Sequence, residues 1–337
     1  MSDDQFGTQP VKRNMLSDKT KESKYGLHEE KPHHAKPLTD EEKARKEIIS
    51  LAMEIMSIRK RPLLIMYYPE TRSGSGGSMQ RLDVEYMYNM LVKEIDGKLT
   101  ALDVLLHTEG GDPHTAYHLA QILHKFADDV TVLVPKWAYS AGTLFSMGSC
   151  EIRMSPLGHI SPMDIRWDTE DKGTIWAIAV DQYLEFVRDC KRKIQGEDGL
   201  KTDIDSHLLG KLVDQIEALT LGNIYRERKV TKQYAEALLS RYMFRHLQPK
   251  RRKEIINRVV DKLVFGFATH DFKIDSTLAK ELELVIEEMS HEESLASINL
   301  IDFLDKLTWQ DTICEDIGEG IRVPYFHYVP TNNTEPS

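Results

Sequence analysis

Apolar and polar positions along this chain fall into two alternating rhythms. Short, mainly apolar runs at Leu63 to Tyr68, Ala101 to His107, Val130 to Val134 and Glu151 to Met154 predict strands. Between them the spacing widens to the helical period. Ala116, Leu119, Ala120 and Leu123 fall at i, i+3, i+4 and i+7, which predicts a helix beginning near His114. Further helices are expected around Leu82 to Ile95 and from Ala141 to Met147. Strands that alternate with helices predict an α/β fold with a largely parallel sheet, whose ligands collect at the carboxyl ends of the strands. Thr39-Asp40-Glu41-Glu42 has the form of a capping box; the helix it opens carries Ile48, Leu51, Ala52, Ile55 and Met56 and ends near Arg61-Pro62. After Asp171 the pattern is mostly helical, over Ile175 to Val187, Leu208 to Leu219, Lys232 to Phe244, Lys253 to Val264, Ser276 to Met289 and Leu295 to Leu307.

This pattern divides the chain into three parts. Residues 1–38 are polar and charged and predict a disordered or partner-bound tail. Residues 39–290 form the main domain, and 291–337 a C-terminal helix and tail whose Tyr325, Phe326 and Tyr328 predict docking on a neighbour. The histidines of the first part, His28, His33 and His34, read as a solvated tail. The glycine and serine run from Ser73 to Ser78 lacks the Lys-Ser/Thr ending of a phosphate loop and predicts a flexible loop.

Composition narrows the possibilities. A formal net charge of −10 over 337 residues argues against electrostatic nucleic-acid binding. Three widely spaced cysteines, Cys150, Cys190 and Cys314, imply no disulfide framework and suit a reducing cytoplasm. The first residues carry no apolar core of a signal peptide, and no run approaches the ~18 apolar residues of a membrane span. His114 and His118 have zinc-compatible spacing, but no glutamate base accompanies them in the usual pattern; no metal and no cofactor are expected.

The chemistry concentrates at Tyr139-Ser140-Ala141-Gly142-Thr143, where a strand gives way to a helix. A serine at that corner is presented to a cleft, and the next N–H groups have no partner within the helix. Such donors, Ala141 N–H first, can stabilise the oxyanion of an acyl-transfer intermediate. About 30 residues earlier the Ala101 strand runs into Thr108-Glu109-Gly110-Gly111-Asp112-Pro113, a turn whose paired glycines let the backbone approach a ligand closely. Pro113 suits the first turn of the helix that follows.

Together these residues resemble the ClpP/crotonase superfamily of serine peptidases, and within it the serine dehydrogenase proteinase family, relatives of signal peptide peptidase A. The resemblance is carried by Leu106 to Gly111, Val132 to Pro135, Ser140 to Leu144, Ile152 to Pro156 and Ile160 to Asp164, with a weaker match at Thr269 to Ile274. It departs from the family at Glu109, where proline is usual, and at Ser161, where glycine is usual.

The resemblance implies a spiral of βαβ units with a helical C-terminal part, and a serine peptidase with Ser140 as nucleophile. It implies Gly111 N–H and Ala141 N–H as oxyanion donors, and a peptide or protein substrate paired as a strand beside Gly110 and Gly111. For the base it leaves two candidates. Lys172 lies just before the Ile175 helix, where the peptidase A relatives carry a lysine, although Glu170 and Asp171 would raise its pKa. His159 lies near the region where ClpP carries a histidine. Asp164 orients a base or caps a turn. Assembly into a homo-oligomer is also implied. The competing readings are a catalytically inactive assembly or partner-binding protein on the same fold, an esterase, against which Ala138 in the first glycine position of the elbow motif weighs, and crotonase-type acyl-CoA chemistry, which needs no serine nucleophile.

Overall fold

The computed structural model describes residues 39–69, 77–169, 173–195, 218–309 and 325–331. Its first helix, α1 (Asp40–Arg59), begins at the capping box. Thr39 Oγ1 accepts the Glu42 N–H at 3.2 Å, and Glu42 Oε2 accepts the Thr39 N–H at 2.7 Å. Lys60 then turns left-handed and the chain enters β1 (Leu63–Tyr67), all five of whose residues are buried. The next helix, α2 (Arg81–Glu94), leads to β2 (Leu99–His107), and α3 (Pro113–Phe126) leads to β3 (Ala127–Val134). A short strand, β4 (Trp137–Ala138), precedes α4 (Ala141–Ser146), followed by β5 (Glu151–Met154) and β6 (His159–Ile160).

The later half holds a hairpin, β7 (Arg166–Thr169) with β8 (Gly173–Trp176), then α5 (Ala177–Gln195), α6 (Ala218–Arg241), α7 (Pro249–Phe265) and α8 (Ser276–Glu281). It closes with β9 (Ile286–Glu288), α9 (His291–Trp309) and β10 (Tyr325–Val329). The chain is therefore α/β. Its six-stranded sheet has the order β10-β1-β2-β3-β5-β9, parallel throughout except for β10.

Three expectations are corrected. The Tyr325 segment does not dock on a neighbour: it pairs antiparallel with β1, Leu63 opposite Val329 and Tyr67 opposite Tyr325. Helical spacing from Ser276 to Met289 ends at Glu281, after which Glu283 turns left-handed and β9 adds to β5. Ile175 lies in β8, and the helix starts at Ala177. The first two share a cause. A short apolar run suits either period, and pairing with a strand distant in sequence decides between them. Of the expected Leu208 helix, residues 208–217 lie outside the described residues, as do residues 1–38 and the Ser73 to Gly76 part of the glycine loop.

Alternation along each strand sends side chains to two layers. Leu64, Met66, Val104, Leu106 and Val132 meet α2, α3, α4, α6 and α7 in the larger core. Leu63, Ile65, Tyr67, Leu105 and Leu133 meet α1 and α9 on the other face. Residues 291–309 and 325–329, set apart from the main domain on sequence, thus supply part of the second layer and an edge of the same sheet.

A second row of pairings lies past the carboxyl ends of the main strands. Met79 bridges Gly111, Thr108 bridges Ala138, β4 pairs with β6, and Ile160 bridges Ile274. This row brings the weaker motif around Ile274 beside the Ile160 motif, and it positions the candidate site.

Candidate active site

Ser140 stands at the junction of β4 and α4, with φ 50° and ψ −107°. This is a conformation an L-residue adopts only at a cost of about 1–3 kcal/mol. It is the N-cap residue of α4, yet its hydroxyl makes no capping bond. Serine at an N-cap normally takes extended backbone and bonds its own helix. Here the residue is half-buried, between a buried Ala138 and a buried Ala141, and its hydroxyl has no hydrogen-bond partner among the described residues.

The backbone around it is held from beneath. The Ser140 N–H donates to Ser161 Oγ at 2.8 Å, and Ser161 Oγ–H in turn faces Pro162 O at 3.2 Å. The Ser161 N–H donates to Thr143 Oγ1 at 3.1 Å, and that hydroxyl lies 3.0 Å from Ala138 O and 2.9 Å from Ser161 O. Both side chains are buried.

The glycine turn lies directly opposite. Gly110 and Gly111 have φ 115° and 132°, which side-chain-bearing residues rarely adopt. A Cβ on Gly110 would come 3.0 Å from Ser140 Cβ, and one on Gly111 would come 2.3 Å from Met79 N, so neither position has room for a side chain. Thr108 Oγ1 accepts the Gly110 N–H at 3.0 Å and fixes the turn. Met79 is bonded through Gly110 O and the Asp112 N–H, at 2.8 and 2.9 Å. The Gly111 amide itself therefore faces away from Met79, and neither it nor the Ala141 N–H has a partner among the described residues.

Neighbouring groups support this arrangement. Asp112 caps α3 by accepting the His114 and Thr115 N–H groups at 3.1 Å each, with Pro113 in the first turn. Asp83 accepts the Gln80 N–H at 2.7 Å and the Tyr68 hydroxyl at 3.2 Å, which anchors the segment carrying Met79. Burial raises its carboxyl to about 6, against the lowering effect of those two bonds. His107 ends β2 on the opposite face, its ring centroid 5.5 Å from Tyr67 and 4.4 Å from Trp137. Burial lowers its pKa to about 4, so the ring is neutral at pH 7.

Of the residues expected on sequence, Ser140, Ala141, Gly110 and Gly111 come together. Lys172 lies outside the described residues. His159 pairs with Trp137 in the short outer sheet, three positions before Ser140 in the neighbouring strand. Asp164 is buried, accepts the Ile165 N–H at 2.9 Å and lies 3.6 Å from Arg228, whose guanidinium also meets Asp181. Its surroundings are those of a buried ion pair.

His114 is engaged with α6. It lies 2.9 Å from the Tyr234 hydroxyl and 3.6 Å from Glu227, on α6. Among the described residues no group of three or more His, Cys, Asp and Glu side chains could hold a metal ion, and no helix is long and apolar enough to cross a membrane. Sequence reading missed Thr143 as a bonding partner and saw Ser161 only as a departure from a pattern. The single legible signal was that two hydroxyl residues flank an otherwise apolar strand-to-helix corner.

Neither the protein-family models nor the curated proteins contain a match to this chain.

Proposed function

We propose that this chain is a serine peptidase that cleaves peptide bonds through an acyl-enzyme on Ser140. The observation that carries the reading is the pairing of a strained, uncapped serine with two partnerless amide donors. Ser140 holds φ 50° without bonding its own helix, and Gly111 and Ala141 present free N–H groups beside it. The hydroxyl gives its proton to a base and attacks the scissile carbonyl, and the two amides hold the oxygen of the tetrahedral intermediate. The C–N bond breaks as the amine takes up that proton and leaves, and water then hydrolyses the ester to free the acid and Ser140. A substrate strand pairs along the Gly110-Gly111 turn on the side that Met79 leaves open.

The ClpP/crotonase architecture is part of this proposal. Its support is the repeated order of main strand, short outer segment and helix, seen at β2, Thr108 to Gly111 and α3, and again at β3, β4 and α4. A homo-oligomer and a cytoplasmic setting complete it, on the family resemblance and the cysteine usage.

A fluorophosphonate probe and a peptide library test the reading. The probe should label Ser140, and Ser140→Ala should abolish both labelling and hydrolysis while unfolding as cooperatively as the wild type. Lys172→Ala and His159→Ala, assayed in parallel, identify the base by which of them loses activity about 10²–10⁴-fold. A catalytically silent, partner-binding protein is the second reading. It is favoured by the absence of any described base at the Ser140 hydroxyl, and it predicts no labelling at all.

A further inference from the structure

We propose that Ser161 is the positioning residue that keeps Ser140 in its reactive conformation. The consequence for turnover rests on the peptidase reading; the geometry does not.

An N-cap serine has a strong alternative. With extended backbone its hydroxyl would accept an N–H from the first turn of α4, the usual arrangement at this position. A capped hydroxyl is turned toward the helix and is lost as a nucleophile. What separates the two arrangements is the direction of the Ser140 N–H. At φ 50° that N–H points at Ser161 Oγ, 2.8 Å away. Rotation to negative φ swings it off the oxygen.

Ser161 cannot follow such a rotation. Its own N–H is tied to Thr143 Oγ1 at 3.1 Å and its carbonyl lies 2.9 Å from the same hydroxyl, so Thr143 in α4 clamps Ser161 from both sides. The residue is 2% exposed, which leaves water little room to replace its side-chain oxygen. Release of the Ser140 N–H would then strand a buried acceptor at Ser161 and an amide at Ser140 together. The hydroxyl of Ser161 thus selects between a capping serine and a nucleophilic one without touching substrate.

The test compares Ser161→Ala with Ser161→Cys, which keeps the volume but offers only a weak sulfur acceptor. In Ser161→Ala the fluorophosphonate labelling rate of Ser140 should fall about 10- to 100-fold. Peptide kcat should fall with it while KM stays within about twofold, because no substrate contact is lost. A crystal structure of Ser161→Ala should show residue 140 at negative φ with its hydroxyl on an α4 amide. Ser161→Cys should lie between wild type and alanine, and it decides the matter if the alanine variant does not fold. Labelling within twofold of wild type in the soluble variants, or an unchanged positive φ at residue 140, overturns the proposal. If wild type itself resists labelling but the φ change is seen, the peptidase reading fails and the positional role of Ser161 stands.

Discussion

The α1/α9 face of the sheet and the carboxyl end of its strands handle polar groups differently. On the α1/α9 face, two carboxylates are buried and paired with arginines. Asp103 receives Arg59 at 2.7 Å and lies 2.8 Å from Arg61 Nε, and Glu293 receives Arg153 through both oxygens at 2.8 and 2.9 Å. Arg59 also lies 3.6 Å from Glu293, so α1, β2, β5 and α9 are joined by one chain of charges. At the carboxyl end of the sheet the open groups belong to the main chain. Amides at Gly111 and Ala141 are left open, and Ser140 keeps a backbone conformation that costs energy. The first region pairs its buried carboxylates with arginines, although His107 Nδ1, Ser294 Oγ and Ser297 Oγ lie buried there without a hydrogen-bond partner among the described residues. The second leaves main-chain donors open, which in the proposed reaction meet the substrate carbonyl.

The comparison breaks most visibly at Asp103. Asp103→Ala leaves Arg59 and Arg61 facing a low-dielectric gap and should lower unfolding stability by about 4 kcal/mol in a urea titration. A loss under about 1 kcal/mol would mean that the charged face is no more committed than an exposed surface.

A buried histidine on one side of the sheet and a buried aspartate on the other have pKa values displaced with opposite effects on stability. His107 on the α1/α9 face titrates near 4 in the folded chain, against 6.5 for the ordinary side chain. Its contribution is fully present above pH 6.5 and is lost as pH falls toward 4. Asp83 on the other face titrates near 6 against 3.8, so its contribution is present below 3.8 and is lost as pH rises through 6. Each is worth on the order of 3 kcal/mol, and between pH 4 and 6 they oppose one another. Relative to wild type, His107→Phe should become less stable as pH rises across that window, and Asp83→Asn more stable. Parallel profiles for all three proteins would refute the opposition.

The smallest effect is also the most discriminating. Ser140→Gly relieves the positive φ and should raise stability by about 1 kcal/mol, although it removes the hydroxyl. Thermal unfolding measures it. A destabilised Ser140→Gly would show that the corner carries no strain.

Much of this fold is legible from local pattern. Ala116, Leu119, Ala120 and Leu123 all lie buried on one face of α3, and Thr39 with Glu42 opens α1 as spaced. The glycine turn and the serine corner were visible because positive φ and strand ends leave marks in residue type. The edge strand Tyr325–Val329 was not, since its partner β1 lies more than 250 residues earlier. Nor was the end of the Ser276 helix, where pairing with β5 overrides helical spacing. At the site, the serine could be named but its state could not. A hydroxyl at an N-cap position reads the same whether it caps or attacks.

By itself, then, the sequence determined the alternation of strands and helices, the parallel sheet, and the places where the backbone must turn through glycine or meet an oxygen-bearing side chain. Those features depend on neighbours within a few residues, where periodicity and conformational preference act. Only the tertiary structure decided that Ser161 and Thr143 hold Ser140 off its own helix, that Asp164 faces Arg228, and that the C-terminal strand closes the sheet. Each of those depends on hydrogen bonds or ion pairs between segments far apart along the chain. Such contacts are set by how the layers pack, and no local pattern records them.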